Sequence, residues 1–414
     1  MMIKKLKLIP LVLLFTLIFT MTASAAGIGL SVDGSVKTEN LEVTEGRTLI
    51  SGETLESMGF NVSSSGKVVE VKNSKVSFEF TLDTNKVKVN DINLELDTKI
   101  YAKHGEVYLP LRFILETLGY EISWDGENSR VLANKKEEIV YPITIEGTEG
   151  TYTVYDQPKT VVSLAPSVTE TIFALGAGDK LQGRTQYCNY PQEAESIQVV
   201  GSMTEPSIEM VVDISPDMII AATHYKEEVL NKFEEAGIEV IAKPSPETIE
   251  EMYEYTLKLG AIMNKNYEAR ALVSSMKSKV QMTNMKLSNI KQKPSVYYVV
   301  GTGQWGEYTA GSDTFVSEMI AIAGGENAAS DVTGWKYSIE KLIDKDPDVI
   351  FGGSFNIDTM TTGENYSILS AIQDKNYYTV NEDIFSRPSP RLIDEGLKLL
   401  IDILHPEISE ELDF

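Results

Sequence analysis

A phrase that occurs twice constrains this chain more than any other feature. Ser207-Ile208-Glu209, Asp213 and Pro216-Asp217-Met218-Ile219 recur as Ser338-Ile339-Glu340, Asp344 and Pro347-Asp348-Val349-Ile350, each residue 131 positions further on. Each copy reads as a short helix with one glutamate near its start, then a Pro-Asp turn into a buried apolar strand (219–222 and 349–351). Two such units predict two similar α/β lobes, each presenting a glutamate at the same place. A matched pair of surface carboxylates suits docking onto a two-fold symmetric, basic partner.

The segments around the two copies extend this plan. Residues 160–164 read as a buried strand. Ser167-Val168-Thr169-Glu170 then has the form of a capping box opening a helix that Gly176 ends. The βαβ grammar continues to Pro246 and argues for a parallel sheet, whose ligands sit beyond the strand ends. Ile249, Met252, Tyr255, Leu259 and Ile262, then Ala269, Leu272, Met276 and Val280, keep helical spacing. They predict a long linking helix over about 247–290, broken near Asn264-Lys265-Asn266. The expected architecture is therefore two doubly wound α/β lobes (141–246 and 294–408) joined by a long helix. Such a clamp closes only slightly, because a helix resists the φ/ψ changes that a hinge strand absorbs.

A second repeat precedes the lobes. Leu49, Leu55-Glu56, Gly59-Phe60, Val62-Ser63 and Val71 return 60 positions later as Leu109, Leu115-Glu116, Gly119-Tyr120, Ile122-Ser123 and Val131. Each unit reads as a short helix (51–58 and 111–118) stopped by glycine and followed by an alternating strand. Residues 76–82 and 86–89 read as hairpin strands between them, and residues 135–138 as a charged, solvated junction. Residues 27–137 thus form a small α+β domain with an internal repeat, ahead of a bilobed domain over 138–414.

The first 26 residues have the form of a secretion signal. Lys4, Lys5 and Lys7 precede an apolar run from Leu8 to Met21, and Ala23-Ser24-Ala25 fits the small-residue cleavage rule. The run is short for a membrane span, so the mature chain is expected outside the cytoplasmic membrane, in the extracellular space or at the cell surface. Cys188 is the only cysteine, so neither an internal disulfide nor a lipid-bearing cysteine near the cleavage site is expected. Removing the three signal lysines takes the net charge from −24 to −27, which argues against nucleic acid as a partner.

Catalytic constellations are scarce. The three histidines are His104, His224 and His405, and no nucleophile elbow, P-loop, HExxH or CxxC occurs. The reading is that the chain is not an enzyme and needs no cofactor. A zinc or manganese site would need several histidines converging with carboxylates, and the lobes offer only His224 and His405.

Two resemblances sharpen these expectations. Residues 107–126, including Leu109-Pro110-Leu111-Arg112-Phe113, resemble the copper amine oxidase N-terminal-like domain, a non-catalytic stalk or surface module. That resemblance leaves open whether residues 27–137 bind a cell-wall polymer or merely space the lobes. From about 141 to 408 the chain resembles the periplasmic-binding proteins of vitamin B12 and iron-siderophore ABC importers, the class with a helical backbone. Residues 161–176, Tyr187-Cys188-Asn189-Tyr190-Pro191, the two Ser-Ile-Glu units, residues 323–327 and residues 386–391 carry it.

The resemblance implies that Glu209 and Glu340 meet arginines of the permease. It implies that Tyr187, Tyr308 and Trp335 lie against the ring of a cobalt corrinoid. Trp305 lies in an exposed-looking loop beside them. Met203 stands where the family often has a tryptophan, and a thioether can still cover an apolar face. His224 follows the first-lobe strand and could ligate cobalt or iron, and Arg387 could bind ligand carboxylates or amides. The expected function is capture of a vitamin B12-like corrinoid and its delivery to the permease. The alternatives are a ferric siderophore or haem as ligand, or a surface binding or adhesion protein outside transport.

Overall fold

The computed structural model describes residues 27–414 except 147–149, 223–225, 304–305, 411 and 413–414. The signal segment lies outside the described residues, as do His224 and Trp305.

The N-terminal repeat is built as two units that pair with each other. Strand Arg47–Ser51 leads into helix Gly52–Ser57, and strand Glu106–Pro110 leads into helix Leu111–Thr117. The two strands lie antiparallel, with Ile50 opposite Leu109. Each helix stops at a glycine in the left-handed region, Gly59 at φ 91° and Gly119 at φ 85°, where a side chain would be strained. The chain then departs differently. Unit one feeds a five-stranded meander that begins at Asn61–Ser65, and unit two returns as Tyr120–Asp125 at the edge of a seven-stranded sheet. Phe78 and Phe80 of the meander stack at 5.9 Å, and Phe78 meets Phe113 of helix Leu111–Thr117 edge-on.

The two lobes are parallel sheets. The first has strand order 198–199, 181–184, 161–163, 218–222, 239–243, and the second 326–327, 295–299, 349–352, 377–379. In both, the strand that follows the repeated phrase sits inside the sheet, which explains its unbroken apolar run. The phrase also has a local logic. Ser207 and Ser338 cap helices Ile208–Ile214 and Ile339–Lys345, accepting the N–H of Met210 and Lys341. Both helices end on a left-handed residue, Ser215 at φ 48° and Asp346 at φ 41°. The aspartate of each Pro-Asp turn then anchors the neighbouring strand. Asp217 accepts the N–H groups of Lys159 and Thr160 at 2.7 and 2.9 Å, and Asp348 accepts that of Ser295 at 2.7 Å.

The linking segment is two helices, Ile249–Ile262 and Asn266–Leu287, with Asn264 between them at φ 56°. From Glu268 to Met276 the second helix is buried on nearly every side, Ser274, Ser275 and Glu268 included. The lobes cover one side and the N-terminal domain covers the other. Ser274 donates to Glu116 at 2.6 Å, Ser275 to the Glu95 carbonyl at 2.8 Å, and Arg270 to the Thr117 carbonyl at 2.8 Å. Asn90 donates to Glu268 at 3.1 Å. These pairs satisfy polar groups that burial would otherwise penalise. Leu272 and Met276 share one apolar cluster with Ile50, Phe78 and Phe113, so the module is docked on the helix along its length.

Candidate functional site

Beyond the carboxyl ends of the strands, the two lobes meet. Helix Pro166–Ala174 leaves the first-lobe strand 161–163 with Pro166 in its first turn and Ala165 as its cap. This corrects the capping-box expectation: Ser167 lies inside the helix, and Glu170 does not turn back to cap it. Glu170 is 3% exposed and points at the second lobe. There it accepts from Arg387 at 2.8 Å and from Ser389 at 2.6 Å. Burial pushes its carboxyl above the usual range, and Ser389 and Arg387 pull the other way.

Arg387 therefore differs from its sequence expectation. It is 7% exposed, and its guanidinium serves Glu170, the Asn189 side chain at 2.7 Å, the Tyr187 carbonyl at 3.1 Å and Asp383 at 2.5 Å. In this structure the fork is filled by internal acceptors and holds the Tyr187 loop. Arg391 stacks on the Tyr190 ring at 3.8 Å and pairs with Glu395 at 3.0 Å. Tyr190 also donates to Glu395, and its hydroxyl is pushed up to about 12, by burial first and Glu395 second. This polar cluster ties first-lobe residues 187–190 to second-lobe residues 383–395.

The aromatic candidates flank it. Tyr187 is 46% exposed, and the adjacent Gln186 donates its N–H to the Gly201 carbonyl at 2.9 Å. Met203, two residues after Gly201, is half-buried. In the second lobe, Tyr308 pairs with Lys336 in a two-stranded ribbon, and Thr309 donates to the Trp335 carbonyl at 3.0 Å. Trp335 is 37% exposed and meets Phe315 edge-on at 6.2 Å. Each lobe thus offers two apolar faces held by backbone bonds. The 302–308 loop has its own anchor, a buried Glu307 that accepts from Tyr366 at 2.6 Å and from Thr302.

Two residues escape sequence reasoning. Glu170 has the form of a cap and is a bridge between lobes. Phe355 carries no motif, yet it is 76% exposed at the start of helix Ser354–Thr362, just past strand Val349–Gly352. The available signal is an apolar residue directly after a strand and its Gly352-Gly353 turn. Glu209 and Glu340 are both exposed in the first turn of their helices. The Glu340 carboxylate is held below its usual range by its own N–H and then by Ser338. Cys188 is buried beside Thr185, and His405 is buried against the Gly324 carbonyl.

Two parallel α/β sheets joined by a pair of helices, with polar contacts tying one lobe to the other, define a bilobed clamp, and known proteins agree. The profile of the periplasmic binding protein family matches residues 161–384, and that of the copper amine oxidase N-terminal domain matches residues 31–133. An uncharacterised ABC transporter substrate-binding lipoprotein of Bacillus subtilis is 30% identical, over 67% of this chain and 90% of its own length. A cobalamin-binding protein of Halobacterium salinarum is 29% identical, over 61% of this chain and 72% of its own. The solved periplasmic vitamin B12 binding protein of Vibrio cholerae superposes with a TM-score of 0.51 at 25% identity, covering 61% of this chain and 98% of that one. A periplasmic heme binding protein from Pseudomonas aeruginosa shares the fold, with a TM-score of 0.55 at 24% identity, covering 60% and 93%.

The chain belongs to the periplasmic binding protein family. It is an exported substrate-binding protein of an ABC transporter. No helix among the described residues is long and apolar enough to cross a membrane.

Proposed function

We propose that the clamp captures a cobalt corrinoid and delivers it to an ABC permease through Glu209 and Glu340. The observation that carries this reading is a pair of backbone-anchored apolar side chains on each lobe, Tyr187 and Met203 on the first and Tyr308 and Trp335 on the second, of which Tyr187 and Trp335 are exposed and the other two half-buried. A flat macrocycle is held by such rigid faces, which bury much area at little entropic cost. Relatives named cobalamin-binding and vitamin B12-binding support it. A ferric siderophore is the weaker alternative, because Arg387, the cation it would have used, is saturated by internal partners. Haem remains the rival, as solved haem binders share the fold.

The domain division at 137/138 is part of the same proposal, as is the reading of residues 27–137 as a surface module that can meet wall polymer. Cyanocobalamin mixed with the mature protein and freed of unbound ligand tests the ligand. Retention of the corrin absorption band at about one per chain supports it. Loss of that band together with retention of haemin absorption moves the ligand to iron. A Glu209→Ala/Glu340→Ala variant that still retains corrinoid but supports no uptake is the expected transport result; unchanged uptake would favour a binding role outside transport.

A further inference from the structure

The N-terminal module and the linking helix enclose an open cleft of about 500 Å³ that the clamp does not use. Its floor is aromatic, with Phe60 and Tyr120 from the module and Tyr267 from the helix, and its rim carries Lys37, Lys75 and Lys135. The acids that share the cleft are already committed. Glu138 accepts from Lys75 at 2.6 Å, and Asp33 accepts the backbone N–H of Lys135 at 2.8 Å. Lys37 forms no ion pair among the described residues.

Two cations lie over these rings. The Lys135 ammonium lies 4.8 Å from the Tyr120 ring centre, and the Arg270 guanidinium 4.8 Å from that of Tyr267. Burial first, and then Arg270, push Lys135 below the ordinary lysine value. In a chain of net charge −24 this is a local inversion of sign inside a concavity, where field lines concentrate and anions collect. A bare anion would leave the aromatic floor unused, and an apolar ligand would leave the lysines unmatched. A sugar ring has C–H faces for the aromatic rings and hydroxyls for the Asn73 amide and tyrosine hydroxyls at the rim.

We propose that this cleft binds an anionic carbohydrate, with the ring against Tyr120 and Tyr267 and the acid group between Lys37 and Lys75. The site is independent of what the lobes capture, and it joins the module to Tyr267 of the linking helix.

Isothermal titration of the mature full-length protein with glucuronic acid, glucose and inorganic phosphate tests the site. Sedimentation with polygalacturonate adds a polymeric probe. Glucuronic acid should bind at least ten times more tightly than glucose or phosphate. Lys37→Glu/Lys75→Glu and Tyr120→Ala should each weaken it at least tenfold while cyanocobalamin retention stays as in the parent chain. Lys37→Ala alone, which breaks no ion pair, should weaken it several-fold and guards against misfolding of the double variant. Binding of polygalacturonate without the monomer would also support the site and place its natural source in a polymer. Equal binding of phosphate and glucuronic acid, binding that survives all three variants, or no binding of either acidic sugar would overturn the proposal.

Discussion

The two lobes repeat one sentence and then diverge. Their shared part is structural: a Ser-capped helix, a left-handed stop, an aspartate anchoring the next strand, and an interior parallel strand. Their unshared part lies beyond the strand ends. The first lobe fixes its rim through Arg184, which donates to the carbonyls of Ile197, Thr185 and Glu195. The second uses a buried carboxylate, Glu307, held by Tyr366 and Thr302. The repeated residues build the frame and carry the exposed Glu209 and Glu340. The unrepeated loops carry the proposed ligand faces, so on that proposal specificity can change without touching the frame.

The sharpest way to break this contrast is at the seam where the lobes meet. Arg387→Ala should leave Glu170 buried with only the Ser389 hydroxyl and the more distant Arg391 guanidinium, at 4.0 Å, to face it, at a cost of about 3 kcal/mol, read as a large fall in the unfolding midpoint. It should also loosen the Tyr187 loop, whose carbonyl it holds. If the midpoint hardly moves, the seam is not a structural element. Next, Trp335→Ala or Tyr187→Ala should leave stability near the parent value, since both are exposed. Each should cost corrinoid affinity about 10- to 100-fold, the scale expected when one aromatic face covering the ligand is removed. Phe355→Ala should weaken binding less, and a larger loss than Trp335→Ala would move the centre of the site deeper into the second lobe.

The smallest effect belongs to the frame. Backbone N–H groups of Thr160 and Lys159 hold the Asp217 carboxyl below its usual range. A depressed carboxyl contributes stability above its unfolded value near 3.8, and that contribution fades as pH falls through the folded value. Asp217→Asn should therefore cost about 1 kcal/mol at neutral pH, a difference that closes on acidification below about pH 4. A pH-independent difference would show that the aspartate acts through shape alone.

Much of the architecture is legible in local sequence, for a physical reason. Helix stops, Pro-Asp turns and the break at Asn264 depend on neighbouring residues, and the chain states them directly. What stays hidden depends on partners far away. Ser167 and Glu170 match a capping box in form, but Pro166 occupies the first turn and the real partner of Glu170 lies 217 residues onward. Likewise, Ser274, Ser275 and Glu268 look like the wet side of an amphipathic helix. They are dry because Glu116, the Glu95 carbonyl and Asn90 lie opposite them. Arg387 looks available for the same reason: nothing near it in sequence announces Glu170 or Asn189.

The docked module also decides how the molecule bears load. Force applied to residues 27–137 enters the linking helix sideways through Asn90, Glu95, Glu116 and Thr117. From that helix it divides between both lobes, reaching the second through the Lys279–Asp394 pair as well as the chain itself. A pull on the module is therefore shared between the linking helix and the chain that runs from Lys135 into the first lobe.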